Sequence, residues 1–170
     1  MKKKRKYNEK IRRFLCICYG TLMLYLLFVR GRGPVGALSY WEQVANNYNL
    51  IPLHTISNYW DILTRPEYYI EKFGAVAIYR TQVRIAIVNL FGNVIMFIPL
   101  GLFLPLIWRR LRRLWKSFFV SVGVILLVEL AQLLTLRGSC DIDDLILNLF
   151  GAVIGYALWR LRYFLHSKRG

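Results

Sequence analysis

Four long apolar runs constrain this chain more than any other feature of its sequence. They cover residues 14–30, 85–108, 118–136 and 142–165. A helix of about 20 residues, rising 1.5 Å per residue, crosses the hydrocarbon core of a bilayer. In lipid every backbone polar group must also find a partner inside the protein, which a helix provides. The sequence therefore predicts an all-α polytopic integral membrane protein with four transmembrane helices, in agreement with its 56% content of hydrophobic residues.

Basic residues lie in blocks between these runs and predict the orientation of the protein. One block precedes the first run, one separates the second run from the third, and one follows the fourth, whereas most acidic residues lie in the other segments. Because cytoplasmic segments of membrane proteins are rich in Lys and Arg, we predict that both termini are cytoplasmic. A net charge of +15 would also suit a nucleic-acid-binding protein, but such a surface gathers its cations on one folded face, so no nucleic-acid partner is expected.

A connecting segment, residues 30–84, joins the first two runs and is predicted to lie outside. Gly31, Gly33, Pro34 and Gly36 should end the first helix. Over residues 51–69 aromatic and aliphatic side chains are mixed with single charges, which favours short interfacial helices over a separate folded domain. We expect this segment to cover the outer ends of the transmembrane helices.

Polar side chains interrupt three of the four runs near the ends predicted to face outward. Two lie on each run at helical spacing: Asn89 and Asn93, Glu129 and Gln132, and Asp144 and Asn148. Spacings of three or four residues put each pair on one helix face. Counting 1.5 Å per residue from the outer end puts Asn89 and Asn148 roughly 6 Å deep, and Asn93 and Glu129 roughly 10 to 12 Å deep. A carboxylate or amide in hydrocarbon is costly unless it meets another polar group. The pattern predicts a buried polar site between the second, third and fourth helices.

The turn that follows the third run, residues 137–144, concentrates charge next to this site. It contains Arg137 and three aspartates, Asp141, Asp143 and Asp144. A carboxylate stabilises the N-terminus of a helix, so we expect Asp143 or Asp144 to cap the fourth helix. Arg137 is the expected counter-ion of Glu129.

Glycines on the same runs predict close helix packing. Gly151-x-x-x-Gly155 lets two helix backbones approach, and we interpret it as local packing beside Asn148 more than as a dimer motif. Gly92 and Gly123 are expected to give similar relief on the second and third helices. Pro99 and Pro105 should kink the second helix, because proline removes a backbone hydrogen bond.

These residues together resemble a known family. The matching elements are the segment 89–101, Glu129-x-x-Gln132, Arg137, Asp141-x-Asp143-Asp144, Asn148-x-x-Gly151-x-x-x-Gly155 and, upstream, Asn49-x-x-Pro52-x-x-Thr55. They resemble the VanZ-like family of bacterial membrane proteins over residues 49–155, within a single domain of residues 1–170. One departure is Leu53, where many relatives have Phe. The resemblance implies a multi-pass protein of the bacterial cytoplasmic membrane that is associated with low-level resistance to teicoplanin, a lipoglycopeptide.

Three interpretations of the polar cluster stay open, and we favour the first. In the first interpretation the cluster binds an amphiphile: a membrane lipid, a lipid-linked envelope component or the lipoglycopeptide itself. The ligand-binding candidates share an outward position on the three helices and the turn: Asn89, Asn93, Glu129, Gln132, Arg137, Asp141, Asp144 and Asn148.

In the second interpretation the cluster is catalytic and modifies a lipid-linked envelope component. Glu129, Asp143 or Asp144 would then act as general acid or base, and Arg137 would stabilise a developing negative charge. No Ser-His pair, His-Glu-x-x-His motif or phosphate-binding glycine loop occurs in the sequence, so neither a metal nor a cofactor is expected. In the third interpretation the polar residues only join helices, at about 1 kcal/mol per pair.

Overall fold

The computed structural model describes residues 2–29 and 38–167, and its helices confirm the all-α polytopic class. Four helical segments are long and apolar enough to cross a membrane: Glu9–Val29, Val76–Ile107, Leu114–Leu134 and Ile142–Leu165. The elements in chain order are α1 (Lys2–Leu24), extended by a π-helical turn (Tyr25–Val29), α2 (Tyr40–Ala45), β1 (Tyr48–Asn49), α3 (His54–Thr64), α4 (Pro66–Phe73), α5 (Val76–Ile107), a 3-10 turn (Arg109–Arg112), α6 (Leu114–Thr135), β2 (Cys140–Asp141) and α7 (Ile142–Ser167).

The second transmembrane helix is longer than its apolar run. Helix α5 begins at Val76, before the predicted start at residue 85, and so includes Arg80 and Arg84. Gly74 adopts a left-handed conformation with φ 69° and ends α4, which lets α5 begin directly after it. Hydropathy locates the apolar part of a helix, whereas backbone hydrogen bonding continues through the polar residues that precede it. The predicted helix breakers at residues 31–36 lie outside the described residues.

Helices α5 and α7 form the tightest pair of the bundle, and glycines make this contact possible. A Cβ added to Gly151 would lie 2.1 Å from the carbonyl oxygen of Val94, and one added to Gly155 would lie 1.9 Å from that of Ile98. These distances leave no room for a side chain, so Gly151-x-x-x-Gly155 packs within the chain as predicted.

The glycine that completes this contact differs from the two that were predicted. On α5, a Cβ on Gly101 would lie 1.8 Å from the carbonyl oxygen of Ala152. In contrast, a Cβ on Gly92 would make an ordinary contact at 3.9 Å, and one on Gly123 would meet nothing within 4 Å. The expectation that Gly92 and Gly123 relieve close packing was wrong, because neither residue faces the α5–α7 crossing.

Helices α1 and α6 complete the core around α5. Met23, Phe97 and Ile125, one from each of these helices, form a buried apolar cluster. The Tyr19 hydroxyl donates a 2.9 Å hydrogen bond to the carbonyl oxygen of Met96, one turn before Pro99. The helix continues through Pro99 and Pro105 to Ile107, so neither proline ends it.

The connecting segment forms short helices, as predicted, but a small sheet also fixes its position. Tyr48 pairs with Cys140 and Asn49 with Asp141 in a parallel two-stranded sheet. The amide of Cys140 donates to the carbonyl oxygen of Asn47 at 3.0 Å. The segment is therefore tied to the turn between α6 and α7, where most of the candidate residues lie.

The bundle has two chemically different ends. We call the end that carries the α6–α7 turn, Val29 and the start of α5 the site end, and the opposite end, with the Arg109–Arg112 turn, the basic end. At the basic end the Tyr156 hydroxyl donates to the carbonyl oxygen of Arg112 at 2.8 Å, and the Arg112 guanidinium lies 5.6 Å from the centre of the Tyr163 ring. The connection between α5 and α6 is therefore packed onto α7.

Candidate functional site

A cavity of about 500 Å³ lies at the site end, between the helices and the connecting segment. Its wall includes Leu27 from the π-helical turn of α1, residues from α5, α6 and α7, and residues 136–139 of the α6–α7 turn. Residues of the connecting segment complete it: Leu38, Gln43, Asn46, Asn47, Thr55 and Tyr59. The connecting segment therefore forms part of the wall of the cavity.

The structure brings all eight ligand-binding candidates into the wall of this cavity. They are Asn89, Asn93, Glu129, Gln132, Arg137, Asp141, Asp144 and Asn148. Glu129 and Asn148 are each only 3% exposed, whereas Arg137 is exposed at the mouth. We therefore call the buried pair Glu129 and Asn148 the floor of the cavity, and the exposed Arg137 its rim.

Glu129 and Asn148 form the buried centre of the site. Asn148 Nδ2 donates to Glu129 Oε1 at 3.1 Å and so joins α7 to α6. The other oxygen of each group, Glu129 Oε2 and Asn148 Oδ1, is buried and has no hydrogen-bond partner among the described residues. A buried acceptor without a partner costs roughly 1–3 kcal/mol, so this pair is stabilised on one side only.

The remaining amides of the cavity are held by the protein itself. Asn93 Nδ2 donates to Asp144 Oδ1 at 2.5 Å and joins α5 to α7. Asn89 Nδ2 donates to the carbonyl oxygen of Ile85 on its own helix at 2.9 Å. Gln132 Nε2 lies 3.4 Å from the carbonyl oxygen of Leu27, at the long end of hydrogen-bond distance.

Asp141 connects the cavity to the connecting segment. Its Oδ2 accepts from the Thr55 hydroxyl at 2.6 Å and lies 3.4 Å from Asn49 Nδ2. Its Oδ1 accepts from the amide of Asp143 at 2.9 Å, in the first turn of α7. Asp141, the residue just before the helix, therefore caps α7 by accepting from an amide of its first turn. The expectation that Asp143 or Asp144 is the cap was wrong.

Asp143 stands apart from the other carboxylates. It is 0% exposed, does not line the cavity, and accepts from the amides of Leu53 at 2.6 Å and Ile56 at 3.0 Å. These amides belong to the start of α3, where a carboxylate is favourable. The contacts give the Asn49-x-x-Pro52-x-x-Thr55 element a structural role: it presents backbone amides to Asp143 and two side chains to Asp141.

Arg137 does not form the expected ion pair with Glu129. No nitrogen of Arg137 lies within 4.0 Å of a Glu129 carboxylate oxygen, whereas Arg65 and Asp61 do form an ion pair, at 3.8 Å on the surface. Leu136 takes a left-handed conformation with φ 53°, and the amide of Arg137 then donates to the carbonyl oxygen of Gln132 at 3.0 Å. This turn ends α6 before Arg137, whose side chain is exposed, whereas Glu129 is buried within the helix.

Sequence reasoning missed the contribution of the connecting segment to the site. Asn47 lines the cavity, and its Nδ2 donates to the carbonyl oxygen of Gly138 at 2.6 Å. The polar stretch 46–49 is visible in the sequence, but local patterns do not indicate its contact with the α6–α7 turn, because Asn47 and Gly138 are 91 residues apart. Within residues 2–29 and 38–167, no group of three or more His, Cys, Asp or Glu side chains is placed to hold a metal ion.

Comparison with known proteins identifies the family. No curated protein matches the chain. No solved structure matches it either. The family model described as VanZ/LLP1 matches residues 16–163, which extends the resemblance seen over residues 49–155 to most of the chain and includes every residue of the cavity wall. The chain therefore belongs to the VanZ/LLP1 family.

Proposed function

We propose that this protein binds the polar headgroup of a membrane amphiphile in the site-end cavity and leaves the hydrocarbon tails of the ligand in lipid. The observation that carries the proposal is that Glu129 and Asn148 line a cavity of about 500 Å³ and that each keeps a buried oxygen, Oε2 and Oδ1, without a partner among the described residues. A cavity of this size falls in the range of small-molecule sites. A ligand with hydrogen-bond donors would satisfy both atoms.

Helix joining alone accounts for only part of the cluster. The Asn93–Asp144 and Asn148–Glu129 bonds join helices and need no ligand. A purely structural network would be expected to satisfy its buried members, because a partly satisfied network is less stable than an apolar core. The unpartnered Glu129 Oε2 therefore favours a binding role for the floor of the cavity.

The surroundings of the cavity favour an amphiphile over a fully water-soluble ligand. Large apolar side chains are exposed on α5 and α6 at the level of the polar residues, among them Val88, Phe91, Leu130 and Leu134. On transmembrane helices such side chains face lipid. A ligand in the cavity would thus have hydrocarbon within reach of its tails.

The family resemblance supplies the physiological part of the proposal. If the site faces outward in a bacterial cytoplasmic membrane, as the basic blocks predict, binding of a lipid-linked envelope component or of teicoplanin itself would reduce access of the antibiotic to its target. Expression in a susceptible strain should raise tolerance of teicoplanin, and the Glu129→Gln variant at the same protein level should not. Equal tolerance in strains with and without the protein would contradict this part.

Native mass spectrometry of the detergent-purified protein tests the binding proposal. We expect the wild-type protein to retain a lipid from the membrane, and Glu129→Gln and Asn148→Leu to lose it, since each removes a floor acceptor. Glu67→Gln is the matched control, because Glu67 is exposed on α4 and does not line the cavity. Equal retention by all four proteins would contradict a headgroup site at Glu129.

A membrane-embedded acid–base enzyme is the second candidate, favoured by the same free oxygen of Glu129. A general base needs an available lone pair within hydrogen-bond distance of the proton that it removes, and Glu129 Oε2 is such an atom. Incubation with total envelope lipid, followed by mass spectrometry of the lipid, separates the two candidates. A new lipid species that requires Glu129 would indicate an enzyme, whereas retention of an unchanged lipid would indicate a binding protein.

A further inference from the structure

Among the described residues, no basic side chain pairs with the carboxylates around the cavity. Of the described side chains that line the cavity, three are carboxylates, Glu129, Asp141 and Asp144, and Arg137 is the basic one. The carboxylates receive hydrogen bonds from neutral donors, namely Asn148, Asn93 and the Thr55 hydroxyl. No Lys or Arg nitrogen of the described chain lies within 4.0 Å of any of the three. Burial makes the ionised form of a carboxylate costly when no opposite charge lies near it.

The free atoms of the floor define what kind of group would fit there. Glu129 Oε2 and Asn148 Oδ1 both accept hydrogen bonds, and they belong to two side chains already joined at 3.1 Å. An ammonium group carries one positive charge and three donors and has no acceptor. It would satisfy both oxygens and offset the carboxylate charge together.

The rim of the cavity has the opposite character. Arg137 is exposed at the mouth, and the guanidinium fork matches phosphate oxygens. A phosphate placed at the floor would instead bring its negative charge to Glu129, which is unfavourable.

We infer that the amphiphile bound here is an aminophospholipid, whose primary ammonium binds Glu129 and Asn148 while its phosphate lies beside Arg137. The inference rests on the proposed headgroup site and adds the class and the direction of its ligand. A neutral sugar headgroup would supply donors but no charge, and a phosphoglycerol headgroup would supply donors and a negative charge only.

Four lipids with identical dioleoyl chains separate these possibilities in a titration of the full-length protein followed by native mass spectrometry. Phosphatidylethanolamine has the ammonium, its N-acetyl derivative lacks the charge, phosphatidylcholine has a cation without donors, and phosphatidylglycerol has hydroxyls without a cation. None of the other three lipids can donate a hydrogen bond from a charged ammonium to Glu129. We therefore expect phosphatidylethanolamine to bind roughly 10-fold to 100-fold more tightly than each of them.

Two variants locate the ends of the headgroup. Glu129→Gln should abolish the preference for phosphatidylethanolamine over its N-acetyl derivative, whereas the control Glu67→Gln should keep it. Arg137→Gln should weaken all four lipids and leave the preference unchanged, and Arg80→Gln, which alters an exposed arginine of α5 outside the cavity wall, should weaken none. The lipid comparison on wild-type protein stands even if a variant fails to fold.

The possible results distinguish the two proposals. Equal affinity of wild-type protein for phosphatidylethanolamine and its N-acetyl derivative would overturn the aminophospholipid inference and leave the headgroup site intact. Absence of binding of all four lipids would overturn the aminophospholipid inference, and a purified wild-type protein that also retains no membrane lipid would overturn the headgroup site. Glycerophosphoethanolamine, which has the same headgroup without acyl chains, should compete at least 10-fold more weakly; equal competition would mean a soluble amine ligand and would contradict the amphiphile.

Discussion

Three aspartates within four residues of sequence have three different surroundings. Asp141 binds the Thr55 hydroxyl and the first turn of α7, Asp143 binds amides of α3, and Asp144 accepts from Asn93 inside the cavity. The first two therefore attach the connecting segment to α7, and only Asp144 is held by a transmembrane neighbour. Residue type and spacing alone cannot distinguish these roles, because all three carboxylates lie at the same helix start.

Replacement of Asp143 tests whether its carboxylate stabilises the start of α3. Asp143→Ala removes the acceptor of the Leu53 and Ile56 amides, so we expect a loss of about 3 kcal/mol in the free energy of unfolding. Asp143→Asn keeps one acceptor and should lose about half as much. Thermal unfolding in detergent, with hydrogen exchange at the first turn of α3, measures both. Unchanged exchange in Asp143→Ala would show that α3 does not depend on this carboxylate.

Two leucines with left-handed backbone give a matched pair for a second test. Leu53 has φ 63° and is 58% exposed, whereas Leu136 has φ 53° and is 8% exposed. Replacing a residue in this left-handed conformation by glycine relieves about 1 kcal/mol of strain. Part of this gain is offset because glycine loses more conformational entropy on folding. Leu53→Gly should therefore leave the melting temperature unchanged or raise it. Leu136→Gly should lower it, because about 2 kcal/mol of apolar burial is lost; equal shifts would contradict this explanation.

At the scale of whole elements, the α5–α7 crossing sets the geometry of the site. Gly101, Gly151 and Gly155 bring the two backbones together, and the same crossing places Asn93 of α5 against Asp144 of α7. Asn148 lies one turn before Gly151 and faces α6 instead, where it meets Glu129. Helix α7 therefore presents polar groups to two neighbours at one level.

Alanine substitutions test this crossing with a control from the same bundle. A methyl group at Gly155 would lie 1.9 Å from a backbone oxygen, so Gly155→Ala must separate α5 from α7 and should cost roughly 3 kcal/mol or more. Gly123→Ala meets nothing within 4 Å and should stabilise α6 slightly, by up to about 1 kcal/mol. Melting temperatures in one detergent compare them; a Gly155→Ala protein as stable as the Gly123→Ala protein would contradict the close contact.

The elements that sequence reasoning predicted well are those whose signal is local. Four apolar runs and their helical polar spacing are sufficient to predict the transmembrane helices and to bring Glu129 and Asn148 together. The β1–β2 pairing was missed because two-residue strands have no periodicity. The prediction of an Arg137–Glu129 ion pair was wrong because residue types do not reveal the left-handed turn at Leu136. Which glycines pack closely depends on helix rotation, and for that reason Gly101 was overlooked.

At the scale of the whole molecule, charge separates the two ends of the bundle. The 3-10 turn at the basic end contains Arg109, Arg110 and Arg112, whereas the site end contains the aspartates of the α6–α7 turn. Because α1, α5, α6 and α7 alternate in direction, the start of α1 and the end of α7 lie at the basic end. This arrangement agrees with the positive-inside rule and predicts that the cavity opens away from the cytoplasm.

Cysteine labelling in intact cells tests this orientation. Cys16, Cys18 and Cys140 are free, and burial raises the pKa of the Cys140 thiol, which slows its reaction with maleimides. We therefore choose two exposed positions in a cysteine-free background, Ser139→Cys at the site end and Arg113→Cys at the basic end. A membrane-impermeant maleimide should label the first in intact cells and the second only after permeabilisation. The reverse pattern would place the cavity on the cytoplasmic side, and the aminophospholipid would then have to be bound from the inner leaflet.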